Sequence, residues 1–196
     1  AFISSLRDLA ALHSDLRPPL ISLEPFKPAD RPPADAALGA LCSAADIFSP
    51  NLAEARSLAG DGAPDELARR LSDAGARIVT LRLGQAGALV YARGMSSPLH
   101  IPAVPITVVD PTGAGNSYCG GFLAGYVLTG NVRTAACYAA VAASFLVEQP
   151  GLPPITRPGM ARHTRAHPLQ TEAQRRMETL GRLLGSAVPG ALDAPG

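Results

Sequence analysis

The chain has 196 residues, of which 47% are hydrophobic and 17% are charged, and its formal net charge at pH 7 is +1. This composition is typical of a soluble globular protein that is long enough to bury a core. A net charge so close to zero provides no general attraction to nucleic acid or to anionic lipid, so neither a nucleic acid nor a membrane is expected as a partner.

Helices and strands alternate along the first ninety residues. Apolar residues at helical spacing, with capping or stop residues beside them, indicate helices, and short apolar or β-branched runs indicate strands. The predicted helices cover residues 4–15, 34–45, 51–58 and 64–74. The predicted strands cover residues 20–23, 46–48, 77–83 and 88–91. Asn51 is a suitable N-cap, Gly60 and Gly75 are suitable stops, and Gly84 to Gly87 form a tight turn between two adjacent strands.

A glycine-rich turn at 113–115 separates a further strand from two long helices. The strand is predicted over residues 106–109, and the helices over residues 116–128 and 134–147. The second helix is almost entirely apolar, so most of its circumference is expected to be buried. Strands and helices that alternate at these lengths predict an α/β fold around a mostly parallel sheet.

The chain changes character after residue 151, where prolines interrupt it. We therefore predict a main domain over residues 1–151 and a partly disordered tail over 152–196. One amphipathic helix is expected in the tail, with its apolar positions at Ala173, Met177, Leu180 and Leu184. The arginines of the tail are interpreted as a solvated helix face, and they are Arg157, Arg162, Arg165, Arg175, Arg176 and Arg182.

The cysteines and the N-terminus indicate a cytoplasmic protein. Cys42, Cys119 and Cys137 are odd in number and show no CxxC or metal-ligand spacing, so we expect buried thiols in a reducing compartment. No apolar run reaches the length of a membrane span, and the first residues lack the pattern of a signal peptide.

The strongest local signal is the segment VVDPTGAGNSYCGGF, residues 108–122. Gly113 and Gly115 allow the backbone to approach a ligand, and the helix that follows presents free amides and a dipole that favours phosphate. The segment is neither a Walker A loop nor a GxGxxG fingerprint. A turn of small residues that serves only helix packing remains an alternative at this point.

The chain resembles the ribokinase or PfkB-type carbohydrate kinases, whose signature is approximately Asp-Thr-x-Gly-Ala-Gly-Asp-x-Phe. Here residues 110–118 read Asp-Pro-Thr-Gly-Ala-Gly-Asn-Ser-Tyr. Residues 45–60 resemble the family's Asn-x-x-Glu segment, 81–91 its nucleotide-side hairpin, and 139–151 its helix over the adenine. The pair Glu24-Pro25 is similar to a fungal branch of the family.

The resemblance implies a fold and an activity. The fold is a ribokinase-like three-layer α/β/α arrangement, of which this chain corresponds to the C-terminal, nucleotide-binding half, without the N-terminal strands and the lid. The activity is ATP-dependent phosphoryl transfer to a hydroxyl of a sugar or sugar-like acceptor, with Mg²⁺ and a monovalent cation as further cofactors. A sheet without the N-terminal strands exposes an edge, which favours a homo-oligomer or pairing with another chain and low stability alone.

The resemblance also implies roles for individual residues. The catalytic group, which forms an anion hole and the general-base position, comprises Gly113, Ala114, Gly115 and Asn116. The group that organises Mg²⁺ and phosphate comprises Asn51 and Glu54, although a solvated carboxylate is the alternative reading of Glu54. The cofactor-binding group comprises Gly84, Gly87, Asp110, Thr112, Ala140 and Ala143, of which Asp110 and Thr112 are implied to lie beside the monovalent cation.

Asn116 departs from the family, which has its catalytic aspartate at that position. An amide cannot accept the proton of the acceptor hydroxyl, so the general base is lost. Three readings therefore follow from the sequence: a carbohydrate kinase, a catalytically impaired nucleotide-binding protein of the same fold, and an α/β domain whose turn serves packing only.

Overall fold

The computed structural model describes residues 19–152 and 168–185. These residues form two compact units. The first contains residues 19–84 and 88–100, and the second contains 85–87 with the described residues from 101 onward. The helix predicted at 4–15 lies outside the described residues.

A five-stranded sheet follows the order of the chain. Its strands are β1 (Ser22–Leu23), β2 (Ile47–Phe48), β3 (Ile78–Arg82), β4 (Ala88–Ala92) and β5 (Leu99–Ile101). β1 pairs with β2 and β2 with β3 in parallel, whereas β3 and β4 are antiparallel. The first four strands confirm the sequence predictions, while β5 was not predicted because its three residues are too short to show a pattern.

Three helices pack in the first unit and bury its core. They are α1 (Asp35–Ser43), α2 (Leu52–Ala59) and α3 (Pro64–Asp73). Leu67 and Leu71 of α3, with Phe48, Val79 and Leu81 of the sheet, have no exposed surface. α3 begins with a proline in its first turn, where no backbone N–H is needed, as the sequence predicts.

Three further helices lie in the second unit: α4 (Ala114–Thr129), α5 (Val132–Val147) and α6 (Pro168–Leu183). α5 is buried along most of its length, which confirms the expectation from its apolar sequence. Two glycines of α4 allow α4 and α5 to approach closely. A Cβ atom at Gly121 would lie 2.9 Å from the Cα of Ala139, and one at Gly125 would lie 2.9 Å from the Cα of Ala135.

We expect Gly125→Ala and Gly120→Ala to have opposite effects on stability. The added methyl group at Gly125 collides with α5, which should lower the free energy of unfolding by about 1–3 kcal/mol. Gly120 lies on the same helix, and no atom lies within 4 Å of the new Cβ. The higher helix propensity of alanine should therefore raise the free energy of unfolding of Gly120→Ala by about 0.5–1 kcal/mol. Denaturant unfolding of both variants measures the difference, and shifts of the same sign would contradict this packing.

The prediction of a strand at residues 106–109 is wrong. That segment is not assigned to any strand, and Val108 and Val109 are 40% and 57% exposed. The amides of Val109 and Asp110 both donate to the carbonyl of Val147 at the end of α5, at 2.7 and 3.1 Å. β-branched residues favour an extended backbone, but a strand also needs a neighbouring strand, and here a helix end accepts the hydrogen bonds instead.

The amphipathic helix predicted in the tail is confirmed as α6, and Leu180 on its apolar face is completely buried. The interpretation of the arginines as a solvated face is wrong for Arg176, which is 8% exposed. Two carboxylates and a serine hydroxyl accept hydrogen bonds from its guanidinium, and the carboxylates compensate for its charge. The domain boundary at 151 remains a prediction, because α6 packs against α5 within the second unit.

The thiols follow the sequence expectation in part. Cys42 and Cys137 are free and buried, and burial raises the pKa of each to about 11. Cys119 is also free but only partly buried. Among the helices of the described residues, none combines the length and apolar character that crossing a membrane requires.

Candidate functional site

The glycine-rich turn places open backbone donors at the start of α4. Gly113 is the N-cap residue, in the left-handed conformation with φ 81° and ψ −2°. Ala114 N–H donates to the carbonyl of Pro111 at 3.1 Å, and Ser117 N–H donates to the carbonyl of Gly113 at 3.0 Å. Within the described part of the chain, the amides of Gly115 and Asn116 have no acceptor. A helix N-terminus with two such donors favours an anion.

Gly113 is required by both its conformation and its surroundings. A left-handed backbone strains any residue with a Cβ atom, and a Cβ here would lie 3.1 Å from Cδ2 of Leu146 on α5. The absence of a side chain therefore lets the turn lie close to Leu146 without strain.

Asp110 and Thr112 shape the turn. The backbone N–H of Thr112 donates to Oδ1 of Asp110 at 2.9 Å. This hydrogen bond, followed by a smaller contribution from the Thr112 side chain, holds the pKa of Asp110 below its ordinary value. The carboxylate is thus ionised and already occupied within the turn, which makes it a poor candidate for a replacement general base.

An open cleft of about 520 Å³ lies against this turn. Its lining residues come from the turn, from α5 and from the segment after α5: Asp110, Thr112, Gly113, Asn116, Ser117, Ala142, Leu146, Gly151 and Leu152. Asn116 is exposed, so its amide is accessible to a ligand in the cleft. The structure therefore brings the predicted anion-hole and general-base positions together.

The contribution of α5 differs from the sequence prediction. Ala142 and Leu146 line the cleft, whereas the predicted residues Ala140 and Ala143 do not, and Ala140 is only 9% exposed. The missed pair stands four residues apart and so shares one face of the helix. The sequence contains no feature that distinguishes this face from its neighbours on a helix that is apolar all round.

Asn51 and Glu54 form a capping box in the first unit. The side chain of Asn51 accepts from Glu54 N–H at 2.9 Å, and Glu54 Oε2 accepts from Asn51 N–H at 2.7 Å. Glu54 is 4% exposed, so its reading as a solvated carboxylate is wrong. Arg82, which sequence reasoning missed, neutralises it: Nη2 lies 3.3 Å from Glu54 Oε2, and Nη1 lies 2.6 Å from Oε1 of Glu24.

These contacts limit how the pair Asn51 and Glu54 could hold a metal ion. Across residues 19–152 and 168–185, no group of three or more His, Cys, Asp or Glu side chains could form a metal site. Oε2 of Glu54 is also occupied by two donors. The residues fit Mg²⁺ only as an ion held mainly by phosphate and water, which is how proteins usually bind it.

The two glycines of the predicted nucleotide-side loop differ in surroundings. Gly84 has φ 60°, and no atom lies within 4 Å of the position that a Cβ would take, so its left-handed backbone alone requires glycine. A Cβ at Gly87 would collide with the backbone of Ile101 and of Ala103. Close backbone packing is therefore sufficient to explain Gly87, and its role toward a nucleotide stays a prediction.

Comparison with protein families identifies one that covers most of the chain. Residues 13–156 match the family described as pfkB family carbohydrate kinase. An uncharacterized protein of the yeast Schizosaccharomyces pombe is 31% identical over 182 residues, which are 80% of this chain and 50% of that protein. A cytidine kinase of Thermococcus kodakarensis is 38% identical over 86 residues, which are 44% of this chain and 31% of the kinase.

A solved structure shares the fold. The ribokinase of Arabidopsis thaliana, in complex with ribose and ATP, aligns with a TM-score of 0.58 and 26% identity over 67% of this chain and 42% of the ribokinase. The α/β, ribokinase-like fold and the resemblance to a fungal branch are thereby confirmed. The chain spans about half the length of these relatives or less.

Proposed function

The chain belongs to the pfkB family of carbohydrate kinases, and from that membership we propose that it supplies the nucleotide-binding part of an ATP-dependent kinase acting on a hydroxyl of a sugar or sugar-like acceptor. The observation that carries the proposal is the pair of open amides at Gly115 and Asn116. Asn116 and the neighbouring Gly113 line a cleft of about 520 Å³. Phosphoryl transfer depends mainly on positioning and electrostatics, and such a turn provides both.

The turn would hold phosphate oxygens and stabilise their charge. ATP supplies the phosphoryl group when it is bound. The amides of Gly115 and Asn116 would donate to phosphate oxygens, and the dipole of α4 would add a favourable potential. The side chains of Ala142 and Leu146 give the cleft an apolar wall.

Two further groups belong to the proposal through the family. Asn51 and Glu54 would orient the water shell of Mg²⁺, with Arg82 and Glu24 fixing the carboxylate of Glu54. Asp110 and Thr112 would lie beside a monovalent cation, a role supported by an ionised carboxylate in the turn.

The proposed class of acceptor is inferred from the proteins to which this chain is similar. A cytidine kinase and a ribokinase in complex with ribose and ATP are both similar to this chain. A ribose ring is common to the two acceptors, which supports a pentose or a nucleoside as the acceptor here. We propose a cytoplasmic enzyme with small-molecule partners, no nucleic acid or membrane partner, and pairing through an exposed sheet edge.

Asn116 supports a second candidate function. Its amide can hydrogen-bond an acceptor hydroxyl but cannot take its proton, so the protein would bind nucleotide with little or no turnover. A catalytically impaired member of the family that acts through binding or partners is therefore the alternative proposal.

ADP release by the complete protein separates the two candidates. We expect slow release that depends on both Mg²⁺ and an acceptor, measured with a coupled assay over pentoses, hexoses and nucleosides. Release that requires an acceptor supports the kinase. ATP binding without acceptor-dependent release over the whole panel would support the binding protein, and the absence of both would overturn the two candidates together.

A further inference from the structure

Arg176 of α6 is a buried cation with every side of its guanidinium occupied. Nη1 donates to Ser144 Oγ at 2.7 Å, and Nη2 donates to Glu148 Oε2 at 2.6 Å. Nε donates to Glu172 Oε1 at 2.9 Å, and this hydrogen bond holds the pKa of Glu172 below its ordinary value. The guanidinium carbon also lies 4.1 Å from the ring centre of Phe145. A planar guanidinium with three hydrogen bonds and a ring contact fixes the groups around it in one geometry.

Three of these partners lie in the last turn of α5 and at its C-cap: Ser144, Phe145 and Glu148. The same turn of helix carries the contacts that hold the glycine-rich turn. The carbonyl of Val147 accepts from the amides of Val109 and Asp110, and Leu146 packs against the backbone position of Gly113. Arg176 and the anion-binding turn therefore both contact this one helical turn.

We propose that Arg176 is a positioning residue for the anion-binding turn, acting through the C-terminal turn of α5. It holds Ser144 and Glu148 in place, which fixes the Val147 carbonyl and, through it, the start of the glycine-rich turn. Helix ends fray because their last carbonyls lack partners within the helix, and Arg176 would limit this at the end of α5 by holding the side chains of Ser144 and Glu148. The effect on nucleotide affinity rests on the proposed function, whereas the effect on the turn does not.

A simpler role for Arg176 is to dock α6 on α5. Leu180, which is completely buried, already attaches α6 to the second unit through apolar contact. Docking alone would leave the hydrogen bonds at Val147 unchanged when Arg176 is replaced. The two roles therefore differ at the amides of Val109 and Asp110, which lie outside α5 and α6.

Hydrogen exchange measured residue by residue in the complete protein tests the proposal. In Arg176→Met, exchange at the amides of Val109 and Asp110 should be faster by about tenfold, because a charge-assisted network that supports their acceptor is lost. Arg175→Met is the matched control, since Arg175 is the adjacent residue and its side chain is 70% exposed. Arg176→Lys keeps the charge without the fork and should give an intermediate rate.

Binding of ATP with Mg²⁺ provides the second readout. Arg176→Met should lower the affinity about tenfold, while Arg175→Met should leave it unchanged. If exchange rises only in α6, or equally throughout α5, the positioning role is overturned. If exchange rises at Val109 and Asp110 although the unaltered protein binds no ATP, the positioning role stands and the proposed function fails. Should Arg176→Met not fold, Arg176→Lys and Glu148→Gln give the same comparison.

Discussion

Asn116→Asp is expected to raise the turnover of the complete enzyme by about 10²- to 10⁴-fold, which is the usual contribution of a positioned general base. Asn116 is exposed at the cleft beside the open amides of the turn, so a carboxylate at this position could reach the hydroxyl of a bound acceptor. The gain should appear in kcat. The KM for ATP should rise or stay constant, because the new negative charge repels phosphate.

The control for this prediction is Asn131→Asp. Asn131 is the exposed N-cap of α5, where its side chain accepts from Thr134 N–H, and aspartate caps a helix equally well. This variant adds the same charge at a position where no role in catalysis is proposed. Steady-state ADP release of both variants gives the comparison. If Asn116→Asp binds ATP but remains as slow as the unaltered protein, the missing base does not account for low activity.

Gly113→Asp is expected to weaken the binding of ATP with Mg²⁺ by about 10²-fold or more. A hydrogen bond to a charged group contributes about 1.5–3 kcal/mol, so an aspartate that occupies the two open amides in place of phosphate would account for a loss of this size. The left-handed backbone at this position adds strain of about 1–3 kcal/mol. The new Cβ would lie 3.1 Å from Cδ2 of Leu146, and the carboxylate would compete for the open amides and repel phosphate. Calorimetric titration measures the affinity, and circular dichroism shows whether α4 and α5 remain folded.

Two further variants serve as controls for Gly113→Asp. Gly113→Ala adds strain without charge and should lose less affinity than the aspartate. Gly120→Asp places the same carboxylate on α4 where no atom lies within 4 Å of the new Cβ, and it should bind ATP like the unaltered protein. Equal affinity of Gly113→Asp and Gly120→Asp would show that the turn does not contact phosphate, which favours the packing-only reading.

The sequence predicts well what is decided within a few residues. Asn51 caps α2 through a capping box and Gly60 ends the helix with φ 80°, both as predicted. The glycine-rich turn and the start of α4 follow from local signals as well, because only a residue without Cβ adopts the conformation of Gly113 without strain. The strands β1 to β4 were predicted for the same reason, because a short apolar or β-branched run marks each of them.

What the sequence could not predict depends on partners that are distant along the chain. Whether residues 106–109 form a strand depends on a neighbour, and the neighbour is the end of α5, 38 residues after Val109. The burial of Arg176 requires Ser144 and Glu148, which precede it by 32 and 28 residues. The charge of the buried Glu54 is neutralised by Arg82, which is 28 residues away in sequence and adjacent in space. A pattern within one element contains no signal for such compensation.

The measurement that tests the central claim most directly is a calorimetric titration of ATP with Mg²⁺ into the complete protein. We predict saturable binding with one ATP per chain, for which ADP competes and which Gly113→Asp weakens by about 10²-fold or more. The absence of measurable binding in a protein that melts cooperatively would contradict the assignment of the glycine-rich turn as a nucleotide site.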